Sequence, residues 1–235
     1  MGPAHHPADT SDGGVGCELL TQRVLRLSPG RMEQRETGPD EELLFVVEGR
    51  GALRVGEAMY DLLPESAALC APGTRYELEG GGADELVVVS VALHDPIVAA
   101  DTRPATLVTH LSERDAQDAT SEREFRVVFD EATGCLSATQ FVGDIPPSRA
   151  PDHYHLYDEV LYVLDGQGAF HAHGDRTEVS RGSTIELPAR TVHCLENVGD
   201  RTLRVLGVFR PSGSPAIAFY PDGTPAPVPE GPQHE

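Results

Sequence analysis

Basic residues are scarce in this chain of 235 residues: 18 Lys plus Arg stand against 38 Asp plus Glu, a formal net charge of -20. Such a surface repels a phosphate backbone, so nucleic acid is not an expected partner. No apolar run approaches the length that crosses a bilayer, and no membrane segment is expected. The first residues, MGPAHHPADTSDGGVG, lack the basic and apolar regions of a signal peptide, and the expectation is a cytoplasmic protein. Cysteine is sparse as well: Cys17, Cys70, Cys135 and Cys194 show no CxxC and no close pairing, which predicts free thiols. No histidine occurs between His6 and His94. No helix pair of the kind that reads DNA is attached. What remains, 39% hydrophobic and 24% charged, suits a globular chain of one large or two small domains.

The chain contains a copy of itself. Placing Glu42 on Glu159 gives an offset of 117 residues (159 − 42), and the same offset puts Gly49 on Gly166, Gly51 on Gly168, Phe45 on Tyr162, Pro29 on Pro146 and Tyr76 on His193. A single register without a gap reads as an internal duplication. The elements are short, rich in Val, Leu, Phe and Tyr, and separated by Gly, Pro and Asp turns, which predicts antiparallel strands in an all-β barrel or double-sheet jelly roll. The polar stretch LSERDAQDATSERE (111–124), which begins inside the connection 101–122, predicts a short helix capped by Ser112. Residues 1–16 and 221–235 are rich in Pro, Gly and polar residues and read as mobile tails. AIAFY (216–220) is apolar enough to dock back onto a domain or onto a partner subunit.

Within the second copy, HYHLYDEVLYVLDGQG (153–168) puts His153 and His155 two apart, so on a strand both side chains leave one face. Glu159 starts the next strand, and His193 arrives from a strand beyond the turn at Pro188. Three imidazoles and a carboxylate suit a divalent metal, Fe, Mn, Ni, Co or Zn alike. Cys194 follows a candidate ligand directly, and by alternation its thiol points away. His94, His110, His171 and His173 lack such a context, and His5 and His6 lie in the tail.

These residues resemble a known family. The run His153-x-His155-x3-Glu159-x6-Gly166 resembles the first cupin motif, and Gly182-x5-Pro188-x4-His193-x3-Asn197 the second. The resemblance covers the second copy fully and the first in pattern, like a bicupin. It implies two tandem jelly-roll barrels, at 18–100 and 123–211, between tails at 1–17 and 212–235. It also implies metal ligation by His153, His155, Glu159 and His193. One departure is visible: Arg190 stands where the motif usually has Gly. In the first copy Glu36, Gly38 and Tyr76 replace the histidines, and only Glu42 is kept. That copy is expected to be structural, covering a face of the other barrel.

Gln140, Arg149, Tyr154, Tyr157 and Arg190 are candidates for the surroundings of the metal, with either arginine suited to a carboxylate or enolate. Phe141, Tyr162 and Phe170 read as core, and Asn197 as a strand organiser. The resemblance implies a metal-dependent enzyme acting on a small oxygen-bearing molecule (enol, dicarbonyl or carboxylate), foremost by dioxygenase-like oxidation or cleavage. The alternatives are an isomerase, lyase, decarboxylase or aminohydrolase of the same fold, and a non-catalytic metal- or ligand-binding module. A homodimer is the expected assembly.

Overall fold

The computed structural model describes residues 14–97, 106–119 and 122–227. His5, His6, most of the N-terminal tail and residues 228–235 lie outside them. The first half contains β1 (Leu20–Leu27), β2 (Met32–Glu36), β3 (Glu41–Glu48), β4 (Arg50–Val55), β5 (Ala58–Leu62), β6 (Ser66–Cys70), β7 (Arg75–Gly81), β8 (Leu86–Leu93) and β9 (Thr106–His110). The second contains β10 (Gln117–Asp118), β11 (Glu124–Phe129), β12 (Thr139–Ile145), β13 (Ser148–Arg149), β14 (Asp158–Asp165), β15 (Gln167–Ala172), β16 (Asp175–Ser180), β17 (Thr184–Leu187), β18 (His193–Asn197) and β19 (Leu203–Arg210).

All strand pairings are antiparallel, and each half is a two-sheet jelly roll. The first half joins β1-β8-β3-β6-β9 to β2-β7-β4-β5; the second joins β10-β11-β12-β19-β14-β17 to β13-β18-β15-β16. The stretch expected to be a bare connection contributes an edge strand to each half, β9 on β6 and β10 on β11. The expected helix capped by Ser112 is one 3-10 turn, Leu111–Glu113, with His110 at its cap: its Nδ1 accepts from the Ser112 amide. A single turn is what a segment flanked by two edge strands has room for.

The larger sheets of the two halves pack face to face. Leu43, Phe45, Val89 and Val91 from one meet Val128, Phe129, Val142, Tyr162 and Val208 from the other in a single core. Strands β3, β8, β14 and β19 are therefore covered on both faces, which is why they read as continuous apolar runs such as LVVVSVAL instead of alternating. The first barrel's own interior is filled by Leu27, Leu44, Leu53, Leu78, Leu86 and Val88.

The repeat is structural but not gapless. From β3 to β8 the offset of 117 residues reproduces β14 to β19, with Leu86 and Leu203 as counterparts. Leu27 pairs with Leu86 and Ile145 with Leu203, so the first strands are related by 118 residues (145 − 27). Gln22 thus matches Gln140, and both are buried. The duplicated glycines mark close approaches. A Cβ on Gly51 would meet the Glu79 carbonyl oxygen at 2.2 Å, and one on Gly168 the Glu196 carbonyl oxygen at 2.7 Å. None of the four cysteines, all among the described residues, is in a disulfide.

Candidate metal centre

His153 and His193 face each other across a backbone bridge, His153 N–H to His193 O at 3.0 Å and His193 N–H to His153 O at 2.8 Å. His155 lies two residues on, on the same face. Candidate ligand atoms of the three histidines all lie within 4.8 Å of one another. Each ring is fixed through Nδ1 to a backbone carbonyl: His153 to Pro151 O at 2.9 Å, His155 to Ile217 O at 2.8 Å and His193 to Thr191 O at 2.9 Å. A carbonyl only accepts, so Nδ1 carries the proton and Nε2 keeps its lone pair. Burial then holds the rings neutral. It lowers His153, takes His155 down to about 4 with help from His153, and takes His193 well below its usual range. Neutral, oriented, convergent imidazoles are what a divalent transition metal requires, and the carbonyl partners are the outer contacts that fix ligand rings.

Glu159 lines the same cavity and is 4% exposed, but it falls outside the close group of three. Burial alone raises its carboxyl to about 8. The structure thus brings three of the four candidate ligands together and leaves the carboxylate nearby, protonated at neutral pH.

The cavity has a volume of about 280 Å³ and apolar walls that include Phe125, Phe141, Ile145, Leu161, Leu195 and Val205. Phe141, read as core from the sequence, is part of this wall, because β12 turns its odd-numbered residues inward. Tyr157 is in the wall too, stacked on His155 at 4.6 Å and on Phe209 at 4.0 Å. The four other candidates, Gln140, Arg149, Arg190 and Tyr154, are not. Gln140 is fully buried on the opposite face of β12, towards the core between the barrels, and its amide N and O have no hydrogen-bond partner. Arg149 is exposed and pairs with Asp152 at 3.2 Å. Arg190 is exposed on the outer side of its turn. Its φ of +65° is the left-handed value that glycine supplies in the motif, and its counterpart Gly73 has φ +75°. The departure at Arg190 therefore changes the residue and keeps the turn, whose amide still donates to His155 O at 2.7 Å.

Tyr154 sits on the outer edge, bridged by its backbone to Phe219 and stacked on that ring at 5.6 Å. The AIAFY segment thus docks onto its own barrel. Cys194 points away, its thiol donating to Ala150 O at 3.0 Å. Asn197 organises its strand end by donating to Ile145 O and Arg201 O.

Sequence reasoning missed two contributors. Arg123 enters the cavity because β10 folds back on β11. Residues 215–227 form a strap over the mouth, with Ala216, Ala218, Tyr220 and Ala226 in the wall and Ile217 O holding His155.

The first barrel shows what the missing histidines leave. Glu42 accepts from Tyr76 Oη at 2.7 Å, from Ser90 Oγ and from the Arg35 guanidinium, which also donates to Tyr76 Oη. Glu36 is at the surface, paired with Arg75 at 3.0 Å. A guanidinium and two hydroxyls take up the oxygens of Glu42, so Glu36 and Glu42 do not form a pair of metal ligands.

Comparison with known proteins places this geometry. The family described as Cupin domain matches residues 141–209. Two curated relatives, both uncharacterised, align over part of the chain. One from Methanocaldococcus jannaschii is 34% identical over 53 residues, 23% of this chain and 42% of the relative. One from Streptomyces coelicolor is 38% identical over 60 residues, 26% of this chain and 56% of the relative. The chain thus spans about half the length of the curated relatives it matches. Among solved structures, a Pseudomonas aeruginosa protein named for induction by glyoxylate superposes with a TM-score of 0.72 at 21% identity, covering 84% of this chain and 76% of that one. The protein Ylba from E. coli gives 0.70 at 14%, covering 88% and 90%. An oxalate decarboxylase from Bacillus subtilis, described with Mn(II) centres, gives 0.66 at 13%, covering 84% and 70%. These likenesses carry the fold. With the motif residues converging as described, the match to the cupin domain lies within the C-terminal barrel, residues 141–209.

Proposed function

We propose that the C-terminal barrel holds one divalent transition metal on His153, His155 and His193 and acts on a small oxygen-bearing molecule, foremost by dioxygenase-like oxidation or cleavage of an enol, dicarbonyl or carboxylate. One observation carries the reading: three imidazoles, two buried and one half-buried, each fixed through Nδ1, turn their free nitrogens to one point in an apolar cavity. Such an ion would supply Lewis-acid binding of substrate oxygens and a place for dioxygen. The chain's own residues do the rest. Phe125, Phe141 and Leu161 exclude water, Tyr157 braces His155, and the strap closes the mouth. The volume of about 280 Å³ limits the substrate to a small molecule, below the usual range for drug-sized ligands.

A second reading is favoured by the place of Glu159. A buried carboxyl raised to about 8 and set apart from the imidazoles is suited to hold and return a proton, which an isomerase, lyase, decarboxylase or aminohydrolase needs. The two readings separate by experiment. Protein stripped with a chelator and reloaded in turn with Fe, Mn, Ni, Co and Zn is assayed against a panel of enols, dicarbonyls, carboxylates and ureides, with oxygen uptake followed. Turnover that consumes oxygen and disappears in His155→Ala supports oxidation. Turnover without oxygen that disappears in Glu159→Gln supports the second reading. Stable metal binding without turnover marks a binding module and overturns both.

A further inference from the structure

The cavity wall contains one guanidinium, and among the described residues no acid forms an ion pair with it. Among the described residues, Arg123 is the only Arg or Lys lining the cavity. Its Nη2 donates to Leu195 O at 2.7 Å. Leu195 is two residues beyond His193 on β18, so the guanidinium is held against the strand that delivers a candidate ligand. Its Nε is buried without a hydrogen-bond partner. Glu124 and Glu159 line the same cavity, yet neither forms an ion pair with it, and burial keeps the nearby Cys194 thiol protonated and neutral. Desolvation lowers the Arg123 pKa, and its positive charge is felt at His153 and His193.

Several half-buried arginines are paired with acids, Arg35 with Glu42, Arg126 and Arg204 with Asp144; Arg114 and Arg210 are not, but neither lines this cavity. In a chain with 38 acidic residues, an inward cation left without an acid is costly unless something else supplies the negative charge. A guanidinium fork matches a carboxylate in shape and charge. Arg149 and Arg190, the arginines suggested by sequence, both lie outside this cavity.

We propose that Arg123 is the anion anchor of this cavity, binding the carboxylate of a small substrate whose remaining oxygens face the three histidines. The proposal rests on the metal reading only for that second contact. The substrate class is thereby narrowed to small oxygen-bearing carboxylates.

The test is calorimetric titration of acetate, glyoxylate, pyruvate and oxalate, each beside its neutral amide, into chelator-treated and Co(II)-loaded full-length protein. Wild type is expected to bind at least one carboxylate at least tenfold tighter than its amide, in both forms of the protein. That preference is expected to fall below about twofold in Arg123→Gln, and to return in part in Arg123→Lys, which keeps the charge. Metal content and thermal midpoint are measured on each variant. If Arg123→Gln does not fold, the preference in wild type and in Arg123→Lys decides. No preference for any carboxylate in wild type, or an undiminished one in folded Arg123→Gln, overturns the proposal. Failure of wild type to take up Co(II), with the preference intact in the metal-free form, defeats the metal reading and leaves the anchor standing.

Discussion

At the scale of single residues, the site is a set of ionisable groups kept neutral by burial, and its pH behaviour follows. Imidazoles with folded pKa values below 6.5 favour the folded state above about pH 6.5 and lose that contribution as pH falls through the folded values, about 4 for His155. Glu159 is opposite in sign. Its folded value of about 8 lies above the ordinary 4.5, so its contribution is present at low pH and is lost as pH rises through 8. Between pH 6.5 and 8.5 only the Glu159 effect among these four remains. Metal-free wild type is therefore expected to lose thermal stability over that interval more steeply than metal-free Glu159→Gln. Parallel thermal-melt profiles for the two proteins would contradict the burial argument. Gln140 gives a second prediction. Its amide is buried between the barrels without partners, so Gln140→Leu is expected to raise stability by about 1–3 kcal/mol, with metal content unchanged. Denaturant titration and metal analysis check both halves of that expectation. The residue's facing was not legible in the sequence for a definite reason: β1 and β12 are related by one residue more than the rest of the repeat, and a slip of one turns every side chain of a strand to its other face.

At the scale of elements, the histidine and glutamate positions were legible because ligand spacing is a side-chain code written along β14, β18 and the loop before them. The two-sheet repeat was legible for a similar reason, since turns and apolar strands recur at a fixed interval. What was not legible is carried by backbone atoms and by long-range placement. Ile217 contributes a carbonyl oxygen, which any residue possesses, and Arg123 reaches the cavity only because β10 pairs with β11. The strap tests how much such backbone contacts matter. A chain ending after Ser214 keeps the bonds of Thr139 to Gly213 but loses the Ile217 carbonyl and the Phe219 bridge to Tyr154. It is expected to bind metal about 10–100-fold more weakly while keeping its β circular dichroism. Unchanged affinity in a competition titration would show that the His155 ring needs no carbonyl to orient it.

At the scale of the whole molecule, the first barrel acts through its outer face. Its own would-be site is closed by the Arg35–Glu42–Tyr76 network and an apolar filling, while its larger sheet shares one core with the barrel that carries the histidines. Two barrels with a common core are expected to unfold together. Phe129, 1% exposed in that core, provides the perturbation: Phe129→Ala is expected to cost about 3–5 kcal/mol. Hydrogen exchange followed across a denaturant series should then show one common midpoint shift in β4–β7 and in β15–β18. A shift confined to the second set would mean that the barrels are independent.

The central claim is that His153, His155 and His193 together hold a metal through their Nε2 atoms, and crystallographic anomalous scattering at the metal absorption edge tests it most directly. The account predicts one peak per chain in the C-terminal barrel, at about 2.0–2.2 Å from all three Nε2 atoms, absent in crystals of His193→Ala. A cavity without a peak after soaking with Mn, Co or Zn, or a metal bound elsewhere on the chain, would contradict it.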